Sequence, residues 1–318
     1  MVGLVGITLW SWVLVDTNFT LVKHSDWTAF RNVAISVGYF NRVFSSQIYI
    51  VFITALLIGS LYLVKQPPKN ILLLSIVVAV IAGIFSYPAL SHDLFNYIFD
   101  ARIFTHYGQN PYLHKALDFP SDPMLRFMHW THRTYPYGPT YLVLSFIPSF
   151  LGFDKFALTF FLFKLSHVVL FVLSTKALLK MSRKAAIIFV TSPIIIVEGL
   201  INSHNDFVAL AFGLIGIGFI ASKKTLLGGI MLAIGGLVKY VTLPTLILAA
   251  PNKWKIFNVK SKVLIAFTLT VGLLCYLISK GEIHPWYFLG LFIFLPYYEK
   301  IFLYVYPFMA GLLISYLS

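Results

Sequence analysis

Long apolar runs, each about as long as a bilayer is thick, constrain this chain more than any motif does. The stretches 46–64, 71–90 and 263–278 are almost free of charge. About 18–20 apolar residues in a helix span the hydrocarbon core. Helices and closed barrels are the only structures that satisfy every backbone polar group in lipid. Composition agrees, with 59% of the 318 residues hydrophobic and 11% charged, against about a quarter charged in soluble domains. The expected fold is all-α, a polytopic membrane domain over 1–318 with about 9–11 transmembrane helices. Candidate spans run over 2–16, 45–64, 71–90, 139–178, 185–201, 206–222, 225–250, 263–280, 286–296 and 299–317. The first lacks the positive start and small-residue cleavage site of a signal peptide, so it reads as a helix. Two stretches should break. Pro148 and the Gly152–Lys155 region divide 139–178 into a partial helix and a full span. The 225–250 stretch has basic flanks on both sides and should enter and return near Lys239–Pro244. Gly213, Gly216, Gly218, Gly228, Gly229, Gly235 and Gly236 read as close helix packing by small residues.

Charge sets the expected orientation. The net charge of +13 does not indicate nucleic acid, because the basic residues sit in short tracts between apolar runs. Lys65/Lys69, Lys180/Arg183/Lys184, Lys223/Lys224 and Lys253/Lys255/Lys260/Lys262 contain no acid and should face the cytoplasm. The segments 17–44, 89–138, 198–206 and 280–287, with Asp16 at the edge of the first, hold nine of the eleven acids and eight of the nine histidines. Acid–base chemistry is therefore expected on the outer side, in a protein of the plasma membrane. The lone cysteine, Cys275, can form no internal disulfide.

Three polar clusters and one lysine stand out. The first spans 89–138, an external loop expected to carry amphipathic surface helices. It opens Ser91-His92-Asp93-Leu94-Phe95-Asn96-Tyr97 and continues through Asp100-Ala101-Arg102 and Gly108-Gln109-Asn110-Pro111-Tyr112. It ends at Arg133-Thr134-Tyr135-Pro136-Tyr137-Gly138-Pro139. A helix over 93–107 would place Asp93, Asn96 and Asp100 on one face, either as a catalytic face or as a solvated anchor. The second cluster, Glu198 to Asp206, joins two apolar runs without a linker. Its Asn202, His204, Asn205 and Asp206 are either functional at the membrane rim or, for Asn205 or Asp206, a helix cap. The third is Glu282-Ile283-His284-Pro285-Trp286-Tyr287, a belt or a binding edge. Lys239 interrupts an apolar stretch and either snorkels to water or pairs with an anion such as phosphate. The chain has no GxxxxGK[ST] loop, HExxH, paired CxxC or GxSxG. ATP hydrolysis and thiol-ligated metals are thereby disfavoured. A histidine–carboxylate site for a divalent cation stays open at His92/Asp93 and His204/Asp206.

These residues resemble a known group. An outer loop opening with Asp just after a membrane helix resembles the GT-C glycosyltransferase superfamily. Asp93…Tyr97…Asp100-Ala101-Arg102, Gly108-x-Asn110-Pro111-Tyr112 and Tyr135-Pro136-Tyr137-Gly138-Pro139 are similar to polyprenyl-phosphate-mannose-dependent mannosyltransferases. That group includes bacterial lipoglycan α-mannosyltransferases and, more distantly, the first GPI-anchor mannosyltransferase. Asn202-x-x-Asn205-Asp206, Gly236-Leu237-Val238-Lys239 and His284-Pro285-Trp286-Tyr287 extend the likeness over about 90–290. The DxD pair of the GPI enzyme is absent, since Leu94-Phe95 follows Asp93.

The resemblance implies inverting transfer of a sugar, mannose first among candidates, from a polyprenyl-phosphate donor to an external glycan or glycolipid. Asp93 would be the general base. Arg102, Arg133 or Lys239 would stabilise the leaving phosphate. Asp100, Asn202 and Asp206 would hold sugar hydroxyls or orient the base, and Tyr135, Tyr137, Trp286 and Tyr287 would stack on sugar or carrier. His92, Asn110, Tyr112, His204, Asn205 and His284 join the expected binding set. The apolar interior would take the lipid tail. Two other classes stay open. A transporter or flippase should show two related halves and charges spread through the membrane depth. A non-catalytic subunit would tolerate loss of Asp93.

Overall fold

The structure is a computed structural model that describes residues 2–251, 258–281 and 283–317. Lys253, Lys255 and Glu282, which entered the argument above, lie outside the described residues. Twelve α-helices and no strand occur among the described residues. They are α1 (Val2–Ser11), α2 (Ser25–Gly38), α3 (Arg42–Lys65), α4 (Ile71–Val78), α5 (Asp93–Thr105), α6 (Pro139–Leu151), α7 (Phe156–Met181), α8 (Arg183–Thr191), α9 (Asn205–Ala221), α10 (Thr225–Val238), α11 (Val259–Lys280) and α12 (Glu299–Leu312). Shorter 3₁₀ and π segments join them.

The helices α3, α7 and α11, and α12 with its 3₁₀ extension to Leu317, are long and apolar enough to cross a membrane. The pair α8 plus Ile195–Ile201, bent by 67°, adds a fifth. Seven further apolar helices have 10–17 residues. Length and composition therefore qualify fewer spans than the nine to eleven expected, because breaks cut several apolar runs into short helices. The faces of α11 show the solvent it is built for. Val263, Ala266, Thr270 and Leu274 are buried, whereas Leu264, Leu269, Leu273 and Leu277 are exposed. An exposed leucine stripe on a helix this apolar belongs against lipid. The protein is an integral membrane protein.

The breaks have local causes. Pro193 follows Ser192, which is extended at ψ 122°, as a residue before proline prefers. The helix bends there and resumes as the π segment Ile195–Ile201. The expected division of 139–178 is present. Helix α6 ends at Gly152, Phe153 and Asp154 take positive φ of 47° and 58°, and α7 starts at Phe156. The 225–250 stretch breaks at Lys239 into α10 and a 3₁₀ helix, Tyr240–Ala249. The glycine pattern brings α9 and α10 together. A Cβ at Gly228 would lie 2.8 Å from the Gly216 carbonyl, and one at Gly235 would lie 2.8 Å from the Ala209 carbonyl. Larger residues would push the helices apart.

Two expectations for the loops change. Helix α5 forms where the 93–107 pattern placed it, but it is not a surface helix, for every residue from Leu94 to Ile103 is buried. It lies between α6, α7 and an aromatic cluster around Phe19, whose ring meets those of Tyr87, Phe95, Phe127, Phe156 and Phe160 within 6 Å. The 130–133 segment covers its polar face, with Asn96 Nδ2 donating to the Trp130 carbonyl at 3.3 Å. The second change is α2, a helix in what was expected to be plain loop. His24 caps it by accepting from the Asp26 amide.

Candidate active site

The site gathers at the ends of broken helices. Asp93 occupies the first turn of α5, where the helix dipole favours a carboxylate. The turn 202–204 connects the π segment to α9 and carries His204 against Asp93. His204 Nδ1 lies 3.5 Å from Asp93 Oδ2, and Nε2 lies 3.2 Å from Glu198 Oε2. One buried imidazole thus sits between two carboxylates. Glu198 is wholly buried and takes hydrogen bonds from Asn202 Nδ2 at 3.0 Å and the Tyr316 hydroxyl at 3.0 Å. Asn202 Oδ1 also accepts from the Leu90 amide at 3.2 Å, tying this turn to the start of the 89–138 loop.

The turn is held from below by a residue that the motifs did not flag. Lys164 of α7 is fully buried, and its ammonium donates to the carbonyls of Leu200 and Ile201 at 2.6 and 2.8 Å and to Ser86 Oγ at 3.1 Å. A cation on C-terminal carbonyls is the arrangement a helix end favours. Ser203 then adopts the left-handed conformation at φ 57°, which costs a non-glycine residue about 1 kcal/mol or more. The reversal allows α9 to start at Asn205. Neither Asn205 nor Asp206 caps it, because His204 holds the N-cap position and no side chain accepts a cap bond from the first amides. Asn205 is wholly buried with neither side-chain atom partnered.

The cationic side comes from α10 and the end of the 89–138 loop. Lys239 Nζ lies 2.9 Å from Asp206 Oδ2 and 4.8 Å from the Tyr137 ring centre. Gly138 permits this approach, since a Cβ there would collide with the Leu237 carbonyl. Arg133 sits 5.5 and 5.9 Å from the Trp130 and Tyr137 rings. Opposite, His284, Trp286 and His204 form a stack with successive centroid distances of 4.3 and 4.4 Å. Between these groups lies a cavity of about 550 Å³, lined by Asp93, His92, His129, Trp130, Arg133, Tyr137, Lys239, His284, Trp286 and Tyr287.

Electrostatics separates the carboxylates. Burial would raise Asp93, but His204, Arg133 and Lys239 outweigh it and hold the group below the ordinary aspartate value. Asp100 has less help. Burial pushes it up to about 7, against the pull of Arg133 and with a push from Asp93. Burial lowers His92 to about 4, with His129 adding to the effect, so His92 is uncharged at neutral pH.

Residues 1–253 match the family described as Alpha-(1->6)-mannopyranosyltransferase, N-terminal domain. The chain belongs to this mannopyranosyltransferase family. It is also similar to Alpha-(1->6)-mannopyranosyltransferase A of Corynebacterium glutamicum, 25% identical over 162 residues. That alignment covers 48% of this chain and 32% of the relative, so the chain matches about a third of that curated protein's length. No solved structure matches. Of the expected residues, His92, Asp93, Arg133, Tyr137, Lys239, His284, Trp286 and Tyr287 line the cavity, and His204 and Asp206 contact Trp286 and Lys239 in its lining. Asn110, Tyr112 and Tyr135 instead build its support. The Tyr112 hydroxyl donates to the Tyr137 carbonyl at 2.9 Å and the Tyr135 amide to the Pro111 carbonyl at 2.9 Å, so the two motifs interlock. Arg102 points elsewhere, bonded at 2.6 Å to both Asp122 and Asp154. The pairing of His204 with Asp206 does not form, since His204 meets Asp93 and Glu198 and Asp206 meets Lys239. Lys164, His129 and Tyr316 had no role in the sequence reading, and Glu198 stood in it only as a member of the second polar cluster. Lys164 left a trace, as a charge inside an apolar run.

Proposed function

We propose that this protein transfers mannose from a polyprenyl-phosphate-mannose donor to an acceptor hydroxyl on the outer side of the membrane, with inversion at the anomeric carbon. The observation that carries the reading is one cavity holding an ionised Asp93 on one wall and Lys239 and Arg133 on another. In this reading the acceptor oxygen attacks the anomeric carbon while Asp93 takes the hydroxyl proton. The bond to the phosphate oxygen breaks, and Lys239 and Arg133 stabilise the departing polyprenyl phosphate. His204, fixed between Glu198 and Asp93, orients the base. The Tyr137 and Tyr287 rings, which line the cavity, supply faces for the sugar.

The lipid tail has a place to go. An apolar groove of about 330 Å³ lies between α6, α7 and α9, bordered by Tyr141, Pro148, Phe163 and Phe212. The Tyr141 ring meets Tyr97 at 4.9 Å, and the Tyr97 hydroxyl donates to Asp93 Oδ2 at 3.4 Å. Two buried side chains thus separate the groove from the base. Family membership favours this reading over a transporter. The test is transfer by purified protein from polyprenyl-phosphate-mannose to membrane glycolipids, with Asp93→Asn alongside. Loss of a general base costs about 10²–10⁴-fold in rate, and that loss is expected with donor binding retained. Near-normal turnover in Asp93→Asn would assign the base to another carboxylate.

A further inference from the structure

A second constellation shares two residues, His92 and His129, with the cavity lining, and the proposed transfer assigns it no role. Asp16 comes from the turn after α1, His92 from the residue before α5, and His129 from the loop that covers α5. One donor atom from each lies within 4.8 Å of the others. His129 Nε2 is 3.6 Å from Asp16 Oδ2. The His92 and His129 rings stack at 3.6 Å between centres with 18° between planes. His92 Nε2 is buried and has no hydrogen-bond partner. Asp16 is aimed from behind. Its amide donates to the Tyr87 hydroxyl at 3.2 Å, and its Oδ1 accepts from the Asn18 amide at 2.7 Å, leaving Oδ2 on the histidine side.

We propose that Asp16, His92 and His129 form a binding site for one divalent transition-metal ion of the zinc class. Two imidazoles with a carboxylate favour zinc, cobalt or nickel over magnesium or calcium, which prefer all-oxygen sets. Three protein donors leave a fourth position for water or a ligand oxygen. Zinc bonds nitrogen and oxygen at about 2.0–2.2 Å, so the donors must draw in by roughly an ångström and the stacked rings must tilt apart. The side chain able to do this is His129, at 47% exposed, against a fixed His92 and an Asp16 at 19%. The other acid–histidine cluster cannot serve the same way. His204 turns opposite nitrogens to Asp93 and Glu198, so one ion cannot take both contacts. An ion at Asp16–His92–His129 would tie two separate segments to the residue preceding Asp93 and brace the cavity mouth.

The experiment uses the full chain, purified in detergent without a polyhistidine tag and stripped with a chelator. Cobalt(II) is titrated in while its visible absorption is followed, and zinc is used to displace it. One cobalt per chain is expected, displaced by zinc and not by magnesium. His129→Ala and Asp16→Asn should each weaken binding at least tenfold and abolish the rise in melting temperature that zinc produces. Both positions are partly exposed, so the variants should fold, and the melting curve without metal checks this. His114→Ala, an exposed histidine of the same loop beside Asp118, should bind cobalt as the parent does. Absence of stoichiometric binding, or binding unchanged by loss of His129 and Asp16 together, would overturn the site.

Discussion

At the scale of single residues, the structure separates cations that the sequence left equivalent. Lys239 faces the cavity beside Asp206 and Tyr137, whereas Arg102 is spent on Asp122 and Asp154. Lys239→Met should therefore weaken donor binding, by roughly 2–5 kcal/mol if its partner phosphate is desolvated, and should also lower stability, because the buried Asp206 carboxylate loses its partner. Arg102→Met should lower stability and leave donor binding intact. It removes the counter-charge of the buried Asp122 carboxylate, and breaking such a pair costs up to about 3–5 kcal/mol, less here because the Tyr107 hydroxyl and the Met124 amide still donate to Asp122. Asp154 is mostly exposed and adds little. Donor titration and thermal unfolding in detergent distinguish the two variants. An Arg102→Met protein that melts normally but fails to bind donor would reverse the assignment. Asp100 makes a separate prediction about pH. Its carboxyl sits at about 7 in the fold, above the unfolded value of about 3.9. The fold holds this proton more tightly than the unfolded chain, so its contribution to stability is full below about pH 4 and is lost as pH rises toward about 7. The slope should reach at most about 1.4 kcal/mol per pH unit. Melting curves across that window should show it, and Asp100→Asn should flatten it.

At the scale of elements, the site depends on helix ends rather than helix faces. The π segment Ile195–Ile201, the reversed Ser203 and the start of α9 bring His204 to 3.5 Å from Asp93 and Asn202 to hydrogen-bond distance from Leu90, with Glu198 on the far side of His204. Lys164 is what the segment's last carbonyls rest on. Replacing it by Met keeps the apolar stem and removes the donor. Hydrogen bonds to charged groups contribute about 1.5–3 kcal/mol each, so Lys164→Met should lower stability by about 2 kcal/mol or more. It should also slow transfer through misplacement of His204, without touching donor or acceptor. If its melting temperature and rate equal the parent's, Lys164 is not the support the geometry makes it.

At the scale of the whole molecule, polar chemistry and basic tracts occupy different places. Arg183 donates to the Pro68 carbonyl at 2.7 Å, so two of the four lysine- and arginine-rich tracts meet. The cavity is built from other segments. The positive-inside rule then predicts the cavity on the outer side. Single cysteines at Ser121 and Lys260, both exposed, test this once the exposed Cys275 is replaced by serine. A membrane-impermeant reagent on intact cells should label position 121 and spare 260. The opposite pattern would invert the protein.

Much was legible before any coordinates. Apolar runs of bilayer length demand helices because lipid offers the backbone no partners, and Gly152 and Lys239 mark breaks where the helical ladder ends, whereas α6 runs through Pro148. The order of Asp93, Asn110-Pro111-Tyr112, Asn202-x-x-Asn205-Asp206 and Lys239 carried the family. The tertiary structure alone decided which of these side chains share a cavity. Periodicity placed α5 but read it as half-wet, because the residues that cover it, Phe19, Phe127 and Trp130, are distant in sequence and in loops with no period of their own. The same holds for His204 between Asp93 and Glu198, and for Arg102 with Asp122. A helix pattern reports which residues lie on one side of one element, whereas a site is made by contacts between elements, and those are set by packing across distances in sequence that no local pattern encodes.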